Sequence, residues 1–254
     1  MTLGSEPLRP VQVIINDESK KMFLIIIARV FTAIILVKND AYFLDNELKS
    51  KVPETIIRYH CSNIIESNGL IMKVKILALG ASSSSRSLNR RLAEYAAYQI
   101  EGAEVDLLDL NDFEMPIFSV DREEKDGYPA AAHEFLKRID RADGIIISFA
   151  EHNGAYSAAF KNIYDWASRI RGSVFGIKPM YLLSTSTGKR GGFSVLEIAA
   201  ALFERRKNRI VAKFSLPSFD ENFSQEEGIS DASLRSEFEE GIQLLIRALK
   251  DPQE

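Results

Sequence analysis

The stretch KVKILALGASSSSRSLN, residues 73–89, indicates the fold class of this chain. Its first seven residues form an apolar run typical of a buried strand, and Gly80 follows that run directly. Leu88 and Leu92 then begin an apolar spacing of helical period that continues to residue 100. Small hydroxyl residues fill the interval between the two patterns. The stretch therefore predicts a strand, a serine-rich loop and a helix, which together are one βα unit.

The same alternation continues along the chain to residue 250. We predict strands over residues 73–79, 104–110, 143–150, 179–184 and 209–216, helices over residues 88–100, 130–142, 157–171, 191–205 and 232–250, and a loop over residues 111–129. Five strands alternating with five helices predict an α/β fold, with helices on both faces of a parallel sheet. Right-handed crossovers leave few strand orders, among them the 2-1-3-4-5 order of the flavodoxin-like three-layer sandwich.

Composition and charge exclude several classes of function. The 254 residues are 46% hydrophobic and 27% charged, as in soluble globular proteins. A net charge of −4 gives no electrostatic argument for nucleic-acid binding. The single cysteine, Cys61, forms no internal disulfide, and the three histidines lie far apart in sequence. We therefore expect no metal site and a cytoplasmic protein.

The first 71 residues stand outside the βα pattern and contain the apolar segment MFLIIIARVFTAIILV, residues 22–37. Three interpretations stay open: a non-native or poorly integrated extension, with Met72 as a start codon of the domain, an ordered structural addition, or a membrane anchor. The sixteen residues fall short of the roughly 20 that span a bilayer, and Arg29 lies near their middle. We therefore expect a functional domain over residues 72–250 and regard membrane association as the weakest interpretation.

Ligands of open parallel sheets bind beyond the carboxyl ends of the strands, near the point where the strand order reverses. Three loops of unusual composition fall there: residues 80–89, 151–156 and 185–192. In the first, a helix N-terminus, several serine hydroxyls and Arg86 suit a phosphate dianion, whereas the alternative is a flexible serine linker. Neither a Gly-x-Gly-x-x-Gly nor a Gly-Lys-Ser/Thr motif is present, so the loop favours a monophosphate over a pyrophosphate.

The other two loops suit a flat ring. Asn153-Gly154 predicts a tight turn with positive φ, which lets the backbone approach a planar ligand. His152 offers an aromatic surface or is simply exposed, and it receives no proton-transfer role. The third loop, STSTGKRGG at residues 184–192, offers backbone amides to the polar edge of a ring, or is a mobile lid. Lys189 and Arg190 would meet nucleotide phosphates or remain solvated.

Four segments, taken in order, resemble the NADPH-dependent FMN reductase family, which includes quinone, azo-dye and chromate reductases. They are SSSSRSLN (82–89), MPIFSVDREEKDGYP (115–129), AEHNGAYSAAFKNIYDW (150–166) and STSTGKRGG (184–192). The resemblance covers residues 72–250 and implies a flavodoxin-like fold, non-covalent FMN, and homodimers or homotetramers. It also implies NADPH or NADH as co-substrate and a small-molecule electron acceptor.

Carried over position by position, the resemblance predicts cofactor-binding residues in all three loops. They are Ser82, Ser84, Arg86, Ser87 and Asn89; Glu151, His152, Asn153 and Gly154; and Ser184, Ser186, Thr187 and Gly188. Among them Ser82, Ser87 and Asn89 would contact the phosphate. The sequence departs from the family pattern in three places: the arginine of the first loop is Arg86 rather than residue 84, Ala150 replaces a proline, and Thr187 and Lys189 replace smaller residues.

The expected activity is passage of hydride from NAD(P)H through FMN to free flavin, a quinone, an azo compound or a metal oxyanion. No residue is assigned a catalytic role, because bound flavin carries the chemistry. The alternative is a flavodoxin-type FMN electron carrier that does not oxidise NAD(P)H. A receiver-type signalling domain is excluded, since Gly80-Ala81 and Ala150 stand where it needs carboxylates. Tyr164 and Trp166 are expected in the core or at a subunit interface.

Overall fold

The chain divides into two units, residues 1–71 and 72–254. The computed structural model describes residues 23–28, 31–38, 41–44 and 74–251. In the first unit, β1 (Phe23–Ala28), β2 (Phe31–Lys38) and β3 (Ala41–Leu44) form an antiparallel sheet in the order β1-β2-β3. The apolar segment at residues 22–37 therefore lies in extended strands wherever it is described. Among the described residues, no helix combines the length and apolar character that crossing a membrane requires.

The second unit is an α/β sandwich. Its elements are β4 (Lys75–Ala81), α1 (Leu88–Tyr98), β5 (Glu104–Leu108), a 3₁₀ turn (Leu110–Phe113), α2 (Val120–Asp126), α3 (Ala130–Arg141), β6 (Gly144–Phe149), β7 (Glu151–His152), β8 (Ala155–Tyr156), α4 (Ala158–Ile170), β9 (Pro179–Thr185), α5 (Phe193–Arg205), β10 (Arg209–Leu216), α6 (Phe219–Asn222), β11 (Phe223–Ser224), β12 (Gly228–Ile229) and α7 (Ala232–Lys250). Five parallel strands form the sheet in the order β5-β4-β6-β9-β10. Counted along the chain this is the order 2-1-3-4-5, so the predicted fold class is confirmed.

Two apolar layers cover the two faces of the sheet. Ile145 and Ile147 of β6 point into the layer formed with α3, α4 and α5, whereas Ile146 points into the layer formed with α1 and α7. Every residue of β6 and β9 is buried. Such strands read as continuous apolar runs, because both of their faces are covered.

The predicted loop at residues 111–129 is wrong in its middle, where the chain forms α2. Ser119 caps this helix by accepting a hydrogen bond from the Arg122 N–H at 3.2 Å, and Gly127 ends it with a φ of 73°. The turn formers Pro116, Gly127 and Pro129 flank this helix rather than interrupt it. The predicted strand at residues 104–110 ends early, because the 3₁₀ turn begins at Leu110.

Gly80 explains how α1 lies so close to the end of β4. A Cβ atom on this residue would lie 2.5 Å from the backbone nitrogen of Arg90. Only glycine allows that approach, since real Cβ contacts are longer. The absence of a side chain at Gly80 thus places the first turn of α1 directly beside the strand end.

Candidate functional site

The three predicted loops follow β4, β6 and β9, which are neighbours in the sheet. Parallel strands end at the same edge, so the loops meet at the switch point between β4 and β6. Three hydrogen bonds connect these loops with one another or with the starts of the helices that follow them. They run from the Ser157 hydroxyl to the Ala81 carbonyl oxygen at 2.8 Å, from the Asn89 side-chain amide to the Thr185 carbonyl oxygen at 3.0 Å, and from the Val195 N–H to a Glu151 carboxylate oxygen at 3.1 Å.

Serine hydroxyls of the first loop bind the loop's own backbone in a regular pattern. Ser82 Oγ accepts from the Ser84 N–H at 3.2 Å, and Ser84 Oγ accepts from the Arg86 N–H at 3.3 Å. Ser87 Oγ accepts from the Arg90 N–H at 3.1 Å and is the N-cap of α1. Each hydroxyl oxygen is the acceptor in these bonds. Its proton therefore remains to be donated to an oxygen atom of a ligand.

Backbone amides and one arginine add to these donors. None of the described residues accepts a hydrogen bond from the N–H groups of Ser83 or Ser85, nor from the first-turn N–H groups of Leu88 and Asn89. Arg86 is exposed, and it forms no ion pair within the described part of the chain. Together with the helix dipole, these groups make the loop suited to a phosphate dianion.

Asn89 serves the framework of the site. Its side chain is 5% exposed, and Oδ1 accepts from the Ser148 hydroxyl at 2.7 Å and from the Thr185 N–H at 3.0 Å. Nδ2 donates to the Thr185 carbonyl oxygen, so the amide joins α1 to β6 and β9. The side chain thus points into the sheet edge, where the sequence had suggested a phosphate contact. The backbone N–H of Asn89, which has no acceptor among the described residues, is the group that this residue leaves for a ligand.

The second loop is a hairpin in which Glu151 pairs with Tyr156 and His152 with Ala155. Asn153 and Gly154 have φ values of 52° and 77°, the pattern of a two-residue type I′ turn. The predicted tight turn is therefore confirmed. His152 and Asn153 are exposed at its tip.

Tyr156 packs its ring 5.9 Å from that of Phe149, at the base of the same hairpin. Its hydroxyl has no hydrogen-bond partner among the described residues. Burial raises the pKa of Tyr156, and the nearby Tyr164 hydroxyl adds to this effect. The phenol therefore stays neutral and is a poor proton donor at the base of this loop.

The third loop separates its predicted residues. Ser184 is fully buried on β9, whereas Ser186 is half-buried and Thr187 and Gly188 are exposed. The Phe219 N–H donates to the Ser186 carbonyl oxygen, and the Ser218 N–H donates to the Gly188 carbonyl oxygen, both at 3.0 Å. The segment at residues 218–219 therefore holds the third loop in place. The Ser184 hydroxyl points inward and has no partner among the described residues. Thr187 and Gly188 are thus the exposed residues that this part of the loop offers to a ligand.

Two residues outside the predicted set shape the approach to the first loop. Asn162 Oδ1 accepts from the Phe118 N–H at 2.8 Å, and Trp166 Nε1 donates to the Pro116 carbonyl oxygen at 2.7 Å. Trp166 is 1% exposed and belongs to the core, as expected. These bonds fix the segment that borders a cavity of about 420 Å³, whose walls include Ser83, Phe113, Met115, Ile117, Ala158 and Ile163. Spacing alone gives no signal for them, because their partners are backbone atoms of a distant loop.

Comparison with known proteins places the chain in a family. The chain is 30% identical over 125 residues to an NADPH:quinone oxidoreductase of Arabidopsis thaliana, a match that covers 48% of this chain and 62% of the relative. It is 34% identical over 122 residues to a 2-hydroxy-1,4-benzoquinone reductase of Burkholderia sp, covering 47% and 64%. The chain therefore spans less than two thirds of either relative.

Among solved structures, FerB of Paracoccus denitrificans, a flavoenzyme NAD(P)H:(acceptor) oxidoreductase, shares the fold. The TM-score is 0.56 at 21% identity, and the match covers 70% of this chain and 97% of that one. Residues 74–218, more than half of the chain, match the family described as NADPH-dependent FMN reductase. This chain belongs to the NADPH-dependent FMN reductase family.

Proposed function

We propose that the chain is an NAD(P)H-dependent FMN oxidoreductase whose acceptor is a small molecule such as a quinone, free flavin, an azo compound or a metal oxyanion. One observation carries the proposal: three loops meet at the switch point of the sheet, and hydrogen bonds join them to one another and to the helix starts that follow them. Family membership and relatives named as quinone reductases support it.

The first loop fits a monophosphate such as that of FMN. The hydroxyls of Ser82, Ser84 and Ser87 each keep a proton to donate, and amides of the loop lie open beside them. Arg86 supplies the positive charge, since Arg90 is occupied by an ion pair with Asp109. Such charge-assisted bonds are the strong ones in proteins. We assign the phosphate to this loop, with Asn89 contributing through its backbone N–H.

The second and third loops fit the ring. Asn153, Thr187 and Gly188 are exposed, and Gly154 and Gly188 leave room for close approach of a flat system. Amide N–H groups there would stabilise negative charge on the ring's polar edge. FMN, when bound, supplies the hydride chemistry between NAD(P)H and the acceptor. Lys189 and Arg190 are exposed, and we assign them to the phosphates of the nicotinamide nucleotide.

The same proposal includes a homodimer or homotetramer in the cytoplasm, with residues 72–250 as the reductase domain. On α5, Phe193 is 50% exposed and Ile198 is 42% exposed, which supports burial of this helix against another copy. A single cysteine agrees with a reducing compartment.

The test measures retention of FMN by absorption spectroscopy and then oxidation of NADH or NADPH. The purified chain, incubated with FMN and desalted, should retain a flavin absorption spectrum. It should then oxidise NADH or NADPH in the presence of a quinone, an azo dye or free FMN. A chain that retains FMN but oxidises neither nucleotide would be an electron carrier, and a chain that retains no FMN would contradict the proposal altogether.

A further inference from the structure

We infer that Glu151 is a positioning residue: its carboxylate caps α5 from the neighbouring hairpin and thereby joins the two loops assigned to the flavin ring. This inference rests on the proposed function, because it concerns where the ring would lie. The bond at its centre is that from the Val195 N–H to a Glu151 carboxylate oxygen, at 3.1 Å.

Helix α5 lacks a cap of its own. Its N-cap residue is Gly192, with φ 75° and ψ 24°, and no side chain there accepts a hydrogen bond. Val195 is the third residue of the helix, the position whose N–H an N-cap side chain normally accepts. Glu151 supplies the missing acceptor from a different loop.

Sterics explain why the cap comes from elsewhere. A Cβ on Gly191 would lie 2.6 Å from Ser215 Oγ and 2.7 Å from the Leu216 carbonyl oxygen. A Cβ on Gly192 would lie 3.2 Å from the Ser184 Cβ, and both glycines have positive φ. Serine or aspartate at the N-cap would therefore strain the turn, so the capping oxygen must reach in from outside.

The cap couples two loops that are otherwise separate in sequence. Glu151 is the first residue of β7 and pairs with Tyr156 across the hairpin whose turn is Asn153-Gly154. Its carboxylate reaches the helix that follows the third loop. The negative charge also lies at the positive end of the α5 dipole, which strengthens the bond. Displacing the carboxylate would thus free residues 186–192 from the hairpin.

The experiment compares the full chain with Glu151→Ala, Glu151→Gln and the control Glu197→Ala. Glu197 is an exposed carboxylate on the same helix and pairs with Lys213 at 2.8 Å. Amide hydrogen exchange is measured first without added FMN. In Glu151→Ala, residues 186–195 should exchange about five- to tenfold faster, the size expected from loss of one cap. Glu151→Gln keeps an acceptor oxygen and should stay within about threefold of the wild type.

FMN affinity and the visible circular dichroism of bound flavin are then measured on the same proteins. Glu151→Ala should bind FMN about fivefold more weakly, because a loop that was preorganised must now be ordered on binding. Its flavin dichroism should change, whereas Glu151→Gln should restore both signals and Glu197→Ala should leave them unchanged.

Different results would overturn the proposed function and the positioning role of Glu151. Loss of FMN binding in the wild-type chain would overturn the proposed function and the positioning role together. Unchanged amide exchange in Glu151→Ala would show that the carboxylate does not hold the hairpin and α5 together. Faster exchange with unaltered FMN affinity and dichroism would reduce Glu151 to a helix cap without a role toward the ring. Should Glu151→Ala fail to fold, Glu151→Asp replaces it: it keeps the charge, is one methylene shorter, and should give the same faster exchange.

Discussion

Asn89 shows how a residue in the right place can have a different task from the one its neighbours suggest. It follows a serine-rich loop, yet its amide makes three hydrogen bonds to β6 and β9. Deleting it leaves buried donors and acceptors of Ser148 and Thr185 without partners. A buried polar group without a partner destabilises the fold, whereas an exposed one forms a hydrogen bond to water instead.

Asn89→Ala should therefore lower the free energy of unfolding by about 3 kcal/mol, roughly one unsatisfied buried group at each partner. The measurement is urea unfolding of the chain without FMN. Asn111→Ala is the control, since Asn111 is exposed and, among the described residues, its side-chain amide bonds only to Asp109. A loss of FMN binding in Asn89→Ala with stability unchanged would instead return this side chain to the phosphate site.

Buried tyrosines make stability depend on alkaline pH. Burial raises the pKa of Tyr164, which is 4% exposed, and burial likewise raises the pKa of Tyr156 and Tyr181. A pKa that is raised in the folded state gives stability that is complete below the unfolded value, near 10, and is lost as pH rises above it.

The free energy of unfolding should thus be level from about pH 7 to 9 and fall above about pH 10, by up to ~1.4 kcal/mol per pH unit for each tyrosine. Tyr164→Phe should reduce that slope at no cost at neutral pH, because its hydroxyl has no partner among the described residues. Tyr98→Phe, on a side chain that is 64% exposed, is the control. Equal slopes in the two variants would refute this assignment.

Among the elements, the turn before α5 combines positive φ with close contacts to a neighbouring strand. Gly191→Ala would combine a positive φ of 58° with contacts of 2.6–2.7 Å to β10. Strain and overpacking of this kind cost about 2–4 kcal/mol together. Gly172→Ala is the matched control: nothing lies within 4 Å of its added Cβ, and it should change stability by less than about 0.5 kcal/mol. Thermal unfolding of both variants measures the difference, and similar losses would contradict the steric argument.

Elements whose own residues carry a clear pattern could be predicted from the sequence. Strands β6 and β9 are apolar throughout because both faces are covered, and Asn153-Gly154 specifies its turn by residue type alone. Helix α2 was missed, since its seven residues include no buried side chain and so carry no apolar period. The roles of Asn89 and Glu151 lie beyond local reasoning. Both depend on partners that only the packing of α1 and α5 against the sheet brings near.

For the whole molecule, we expect the unit of residues 72–254 to fold by itself. Both apolar layers of the sandwich are built within this unit. We therefore expect a chain that starts at Met72 to melt within a few degrees of the full chain and to bind FMN with affinity within about twofold, since its core is complete. Calorimetry and FMN titration of the shortened chain measure this. Aggregation or loss of FMN binding would show that residues 1–71 contribute to the reductase unit.

We assign the phosphate of FMN to the first loop, and the relative affinities of the chain for FMN and riboflavin test this assignment. Riboflavin lacks the phosphate, so FMN should bind about 100-fold more tightly, as two or three charge-assisted bonds would give. The double variant Ser84→Ala/Arg86→Gln should weaken FMN binding at least tenfold and leave riboflavin unchanged. Arg141→Gln, at an exposed arginine beside the opposite sheet edge, should affect neither. Equal affinity for the two flavins in the wild-type chain would contradict the account.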